Sequence, residues 1–294
     1  MRFSLVFAAF LALVVSQPRV QAQNSPVTVE LELEQDQFLP SEDIKVAVRI
    51  VNLTGRTLRM GADNGWVKFF IETKDGFPIL PDSEPLVVGE FDLPTSKTGI
   101  KRVDLVPHFP IKQSGRYTVR AEIEVPGLGK AVTSRPVAFD IFNGTVLKSI
   151  TVGVVRKTAP SGGAAEQRTF LLQRKNNGKS DHLYVRITDH PSANTLKVLS
   201  IGRLVAIGEP EVQVDQQSRL HVLFRTDSKT FRYVVVTADG EIVRRQTHDY
   251  GAGAPKLRMN DENDVVVSGG VRRELSSDIP TSARVEENAG EKAP

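Results

Sequence analysis

The sequence predicts an all-β chain in two antiparallel parts. Three observations carry this. Period-2 alternation of apolar and polar residues dominates residues 25–143, a loose repeat of short strands and polar turns fills residues 144–275, and no stretch keeps a helical period. The expected boundaries are a signal peptide at 1–22, an antiparallel sandwich at 25–143, a β-repeat domain at 144–275 and a disordered tail at 276–294.

Arg2 precedes an apolar run from Leu5 to Val15, and Val20-Gln21-Ala22 closes the segment with small residues two apart. That is the layout of a secretory signal, with cleavage expected after Ala22 and a mature chain starting at Gln23. The run is short for a membrane span, and no second apolar run is long enough, so no transmembrane anchor is expected. The expected location is secreted, periplasmic or on the cell surface. The 294 residues include no cysteine, so the chain must hold together by burial alone. The same absence excludes thiol catalysis and Cys-ligated metal.

In the first part, Val27, Val29, Leu31 and Leu33 alternate with Thr28, Glu30, Glu32 and Glu34. Ile44, Val46, Val48 and Ile50 do the same. Further strands are expected at Trp66–Thr73, Lys101–Leu105, Tyr117–Val125 and Val137–Phe142. Turn residues separate them: Leu39-Pro40-Ser41, Asn52-Leu53-Thr54-Gly55, Asp75-Gly76 and Pro126-Gly127. Short strands at this spacing indicate a sandwich. Along Trp66–Glu72, alternation puts Val67, Phe69 and Ile71 on the core face and Trp66, Lys68 and Phe70 on the other. Trp66, Lys68 and Phe70 are the candidate ligand-binding residues, since exposed aromatics beside a lysine can stack on a ligand ring. Two other arrangements compete: a bulge that returns Trp66 to the core, or a contact of Trp66 and Phe70 with the second part.

Gly115-Arg116-Tyr117-Thr118-Val119 resembles the G-x-Y segment of immunoglobulin-like domains. The resemblance implies an Ig-like sandwich in which the Tyr117 hydroxyl bonds backbone at a corner leading into a late strand. Val119 stands where antibody-type domains carry cysteine, which limits the likeness to the wider class. That class hosts many unrelated functions.

In the second part, Pro210-Glu211-Val212-Gln213-Val214-Asp215 is echoed 45 residues later by Pro255-Lys256-Leu257-Arg258-Met259-Asn260. Leu220 and Val222 correspond to Val265 and Val267 at the same offset, and Leu183-Tyr184-Val185 resembles Leu220-His221-Val222. Leu204-Val205 likewise resembles Ile242-Val243. Each unit reads as strand, polar turn, strand, and resembles a β-propeller blade. A closed propeller needs at least four blades. About two and a half are legible, so an open sheet, a two-sheet sandwich or a fragment completed by another chain is expected. Residues 158–167, TAPSGGAAEQ, read as a flexible loop.

Charge is unevenly spread. Residues 23–143 carry 14 basic and 17 acidic side chains, and residues 144–275 carry 20 and 14. The second part therefore favours anionic partners, while a secreted chain without a dense basic run is not expected to bind nucleic acid.

No catalytic constellation is legible. Asn177-Gly178-Lys179-Ser180 ends like a phosphate loop, but Gln173 stands where the first glycine belongs. No G-x-S-x-G, S-x-x-K or H-E-x-x-H motif occurs. His182, His190 and His221 would have to converge to hold zinc, and residues 260–264 lack EF-hand spacing, so no metal site and no cofactor is assigned. The expectation is a non-catalytic secreted or envelope protein that binds protein or anionic polysaccharide, or serves structure. The alternatives are a carbohydrate-active enzyme with an accessory domain, using carboxylates such as Asp181, Asp189 and Asp227, and a propeller-like subunit completed by oligomerisation.

Overall fold

The computed structural model describes residues 25–154 and 166–279. The signal segment lies outside the described residues, as do positions 158–165 of the expected loop and 280–294 of the expected tail. The described chain is all-β, without helices, and sets small antiparallel sheets in a propeller-like arrangement.

The first eleven strands are β1 (Val27–Leu33), β2 (Gln37–Phe38), β3 (Lys45–Asn52), β4 (Leu58–Met60), β5 (Val67–Thr73), β6 (Pro78–Ile79), β7 (Phe91–Leu93), β8 (Thr98–Asp104), β9 (Gly115–Ile123), β10 (Val132–Thr133) and β11 (Val137–Ile141). One sheet has the order β1-β3-β8, and a larger one has the order β2-β11-β9-β5-β6 with β10 on β9. A short ladder joins β4 to β7. The only parallel pair among the described strands is β2 with β11. Alternation decides which side chains enter. Val29, Leu31, Val46, Val48 and Ile50 of the first sheet meet Phe69, Ile71, Val119, Ala121 and Phe139 of the second in a single buried cluster. Each of these side chains larger than alanine is worth about 1.5–3 kcal/mol when fully buried.

The second region holds β12 (Thr145–Val154), β13 (Glu166–Asn176), β14 (Asp181–His190), β15 (Thr195–Leu204), β16 (Glu211–Val214), β17 (Leu220–Arg225), β18 (Thr230–Val236), β19 (Ile242–Asp249), β20 (Lys256–Met259), β21 (Val265–Ser268) and β22 (Val271–Arg273). They form three antiparallel sheets: β12-β13-β14-β15, β16-β17-β18-β19-β22 and β20-β21. The middle sheet is covered on both faces. Val222, Phe224 and Val234 pack on Leu172, Val185 and Ile187 of the preceding sheet, while Leu223, Tyr233 and Val235 pack on Leu257 and Val265 of the following one.

The 45-residue echo is real down to the turn. Asp215 Oδ1 accepts the N–H groups of Gln217 and Arg219, each at 2.9 Å. Asn260 Oδ1 accepts those of Glu262 at 3.1 Å and Asp264 at 2.7 Å. Ser218 and Asn263 take φ of 59° and 60° at the same place in each turn. Leu204 and Ile242 are not equivalent: Leu204 ends β15, whereas Ile242 opens β19. The third unit stops at two strands. After the Gly269-Gly270 turn the chain crosses back, and β22 pairs with β19 instead of extending β21. Residues 276–279 follow it, with Asp278 bonded to Arg272 and Ile279 bridged to Arg245.

Among the described residues the two regions meet through the segment from Gln37 to Asp43. Leu39, between β2 and β3, is fully buried with Tyr184 and Val198 of the β12–β15 sheet. Lys175 Nζ donates to the Gln37 carbonyl at 2.7 Å and lies 3.7 Å from Glu42. Arg186 donates to the Pro40 carbonyl, and Lys197 pairs with Asp43 at 3.0 Å. Burial pushes the Lys175 ammonium below its ordinary pKa against the pull of Glu42. Burial, with Glu42 alongside, pushes the Tyr184 phenol well up. Trp66 and Phe70 take no part in this contact, which corrects the expectation that they would cover it. The loop after β2 already lies against β13, β14 and β15, because the parallel pairing of β2 with β11 holds it beside the chain's entry into β12.

Candidate functional site

The three residues expected to form a ligand face are split by the fold. Trp66 sits just before β5 begins, where its N–H reaches the Asp63 carbonyl and its carbonyl accepts from Glu124. Outside the regular pleat, its ring turns inward. It is 4% exposed, its Nε1 donates to the Val87 carbonyl at 2.9 Å, and its ring meets Phe91 edge-on. Satisfying the indole N–H at the core boundary is the usual condition for burying tryptophan.

Lys68 and Phe70 do share the outer face of β5, as alternation requires. Lys68 Nζ lies 3.1 Å from Glu124, and that hydrogen bond and charge raise the ammonium's pKa. Phe70 is half-buried beneath Arg120, whose guanidinium carbon stands 4.0 Å from the ring centroid. Arg120 lies directly across from Phe70 on β9. Among the described residues no carboxylate pairs with it, so its N–H edge is open. A groove of about 250 Å³ borders this pair, lined also by Leu80, Pro81 and Glu84. A flat guanidinium stacked on an aromatic ring is held ready to receive a carboxylate or similar anion in two parallel hydrogen bonds. Arg120 was not legible as a partner of Phe70, because the register of β5 on β9 is set across 50 residues of intervening chain.

Trp66 instead borders a second, wider cleft of about 490 Å³, formed with the glycine-rich loop from Pro126 to Ala131.

The histidines do not converge. His182 and His190 occupy opposite ends of β14, separated by eight residues, or roughly 27 Å of strand. His221 is elsewhere, 2% exposed on β17, between Asp215 Oδ2 at 2.9 Å and the Tyr233 hydroxyl at 2.7 Å. Arg219 Nε also holds Asp215 Oδ2, at 2.6 Å. This resembles an acid–base relay in composition, but its geometry is that of a sealed brace. Both ring nitrogens of His221 are used and Asp215 is 8% exposed. Burial lowers the His221 pKa, outweighing the opposing effect of Asp215. Burial pushes Asp215 up, but bonds from His221 and Arg219 outweigh it and leave the carboxyl below its ordinary range. Among the described residues no three His, Cys, Asp or Glu side chains are grouped to hold a metal ion. No helix among them is long and apolar enough to cross a membrane.

No family model matches the sequence, and no curated protein matches it. Among solved structures the chain is similar to the sporulation control protein Spo0M of Bacillus subtilis, at 10% identity and a TM-score of 0.30, over 61% of this chain and 90% of that one. A TM-score this low carries no argument about fold or activity.

Proposed function

We propose that this is an exported, non-catalytic binding protein of the cell envelope, whose N-terminal region is an Ig-like sandwich that presents the Phe70–Arg120 face to a carboxylate-bearing ligand. The carrying observation is the stacked Arg120 guanidinium, without an ion-pair partner among the described residues, beside an open groove on a paired β-sheet. The Ig-like assignment draws on two sheets enclosing one core and on the Tyr117 hydroxyl, which donates to the Gln113 carbonyl at 2.9 Å at the corner before β9. Export draws on the residues of the segment 1–22, with cleavage after Ala22. An acidic polysaccharide of the envelope fits the ligand chemistry, since each uronate offers a carboxylate next to a ring of sugar C–H groups.

The test is retention of the mature chain, residues 23–294, on an immobilised polyuronate against a neutral glucan. Wild type is expected to be held on the polyuronate, and Arg120→Ala to be released at lower salt with an unchanged melting temperature. Equal retention of both proteins would remove Arg120 from the function. Release of reducing ends from the polymer would favour the carbohydrate-active enzyme instead.

One observation favours a second reading, completion by oligomerisation. The outer edge of β21 carries no partner strand among the described residues, at the position where blade-like sheets add their third strand. A monomeric mass by light scattering at high concentration would exclude it.

A further inference from the structure

The face of the middle sheet that looks toward β12–β15 changes character along its length. It is apolar through Val222, Phe224 and Val234, then becomes cationic at Arg232 of β18 and Arg245 of β19. Arg232 on β18 stands directly opposite Thr247 on β19, and Arg245 stands opposite Val234 on the same face. Arg232 and Arg245 are therefore diagonal neighbours, close enough for long side chains to interact.

Three polar atoms of this group are buried without a hydrogen-bond partner: Nε of Arg232, Nε of Arg245 and Oγ1 of Thr247. Thr247 is only 2% exposed, so water does not compensate its hydroxyl from the surface. The two guanidiniums are half-buried and repel each other. Burial and the charge of Arg232 both depress the Arg245 pKa, and Asp278 alone opposes them. Asp278 is turned toward other donors, with Oδ2 bonded to Arg272 at 2.8 Å and to the Leu275 N–H at 3.0 Å, and its buried Oδ1 takes no bond from Arg232 or Arg245. One carboxylate thus serves both Arg272 and Arg245. Gly202 of β15, at φ +138°, faces this group: a Cβ there would stand 3.4 Å from Arg232 Nη1 and 3.5 Å from the Phe224 ring.

Buried donors left unsatisfied on two adjacent like charges are costly in a folded protein unless something accepts from them. We propose that Arg232, Arg245 and Thr247 form a binding site for a tetrahedral oxyanion, a phosphate or sulfate group, either free or carried as an ester on a larger ligand. Such a group accepts from both Nε–H donors and from the threonine hydroxyl while neutralising the paired guanidiniums. The site is separate from the Phe70–Arg120 groove and does not rest on the function proposed above.

The experiment is isothermal titration of the mature chain with inorganic phosphate, inorganic sulfate and dextran sulfate at fixed ionic strength, with chloride and neutral dextran as controls. Saturable binding of the oxyanions and none of the controls is expected. Arg245→Gln is expected to weaken binding at least about tenfold, as befits loss of a charge-assisted hydrogen bond. Thr247→Val is the discriminating variant. It should weaken oxyanion binding while leaving the melting temperature without ligand equal or higher, because it removes a buried hydroxyl that has no partner. Binding of dextran sulfate more tightly than inorganic sulfate, in an Arg245-dependent way, assigns the group to an ester on a polymer; binding of the inorganic ions alone assigns a free ion. No saturable binding of any of the three, or binding that Arg245→Gln and Thr247→Val leave unchanged, overturns the site.

Discussion

The N-terminal strands bury one face, while the inner strands of the second region bury both. β1 alternates between buried and open positions along its length, whereas β17 is buried at five successive residues, Leu220 to Phe224. The difference is architectural. Two sheets around one core need a single apolar face each, but a sheet stacked between two neighbours needs two. A sheet covered on both sides must also enclose some polar residues, and each of these needs a partner. The Asp215–His221–Tyr233 brace is the outcome on one face. The Arg232–Arg245–Thr247 group, with partners missing, is the outcome on the other.

Matched aromatic deletions should expose this contrast most strongly. Phe224, 2% exposed between two sheets, is expected to cost about 3–5 kcal/mol when replaced by alanine. Phe70→Ala, on a half-open face, should cost under about 1.5 kcal/mol. Denaturant midpoints measure both, and equal losses would mean that the middle sheet is not enclosed as described.

The joint between the regions comes next. Glu42→Ala leaves Lys175 buried without its carboxylate and should destabilise by about 3 kcal/mol. Adding Lys175→Met should recover part of that loss, because the uncompensated charge is gone while the buried Leu39 N–H still lacks the Glu42 oxygen that accepts it at 2.7 Å. A double variant no more stable than the single one would remove the ion pair from the joint.

Acid should act mainly on the second region. Burial holds His221 and His248 below the ordinary value of 6.5, so the unfolded chain takes up protons first as pH falls. Their contribution is complete above about pH 6.5 and is lost as pH falls through the folded values. The depressed Asp215 carboxyl loses its contribution in the same direction, at lower pH. The slope of stability against pH between 7 and 5, measured by urea unfolding, should flatten in His221→Phe; an unchanged slope would discount the brace.

Smaller effects test the first region. Tyr117→Phe should cost about 1 kcal/mol through its one bond to Gln113, and an unchanged melting temperature would discount the corner. The smallest expected effect is none at all. Trp66 belongs to the N-terminal core, so residues 23–143 alone should emit at the wavelength of the whole mature chain. A red shift in the fragment would return Trp66 to the contact between regions.

Much of this molecule was set by local sequence. Strict alternation is enough to place Val27, Val29 and Leu31 inward, because a pleated strand has only two faces. The Pro210 and Pro255 repeats were legible for the same reason: an Asp or Asn that folds back on its own backbone needs no distant partner. What tertiary structure alone decided is which distant residues meet. Trp66 left the face that alternation assigned it because the regular strand starts one residue later and Val87 supplies a carbonyl for its indole. Arg120 came to cover Phe70, Leu39 came to lie on Tyr184, and Arg232 came to face Thr247 through registers and sheet contacts that no short-range pattern encodes. Periodicity fixes a side chain's face. Its partner is fixed by which sheets stack, and stacking depends on the whole chain's burial.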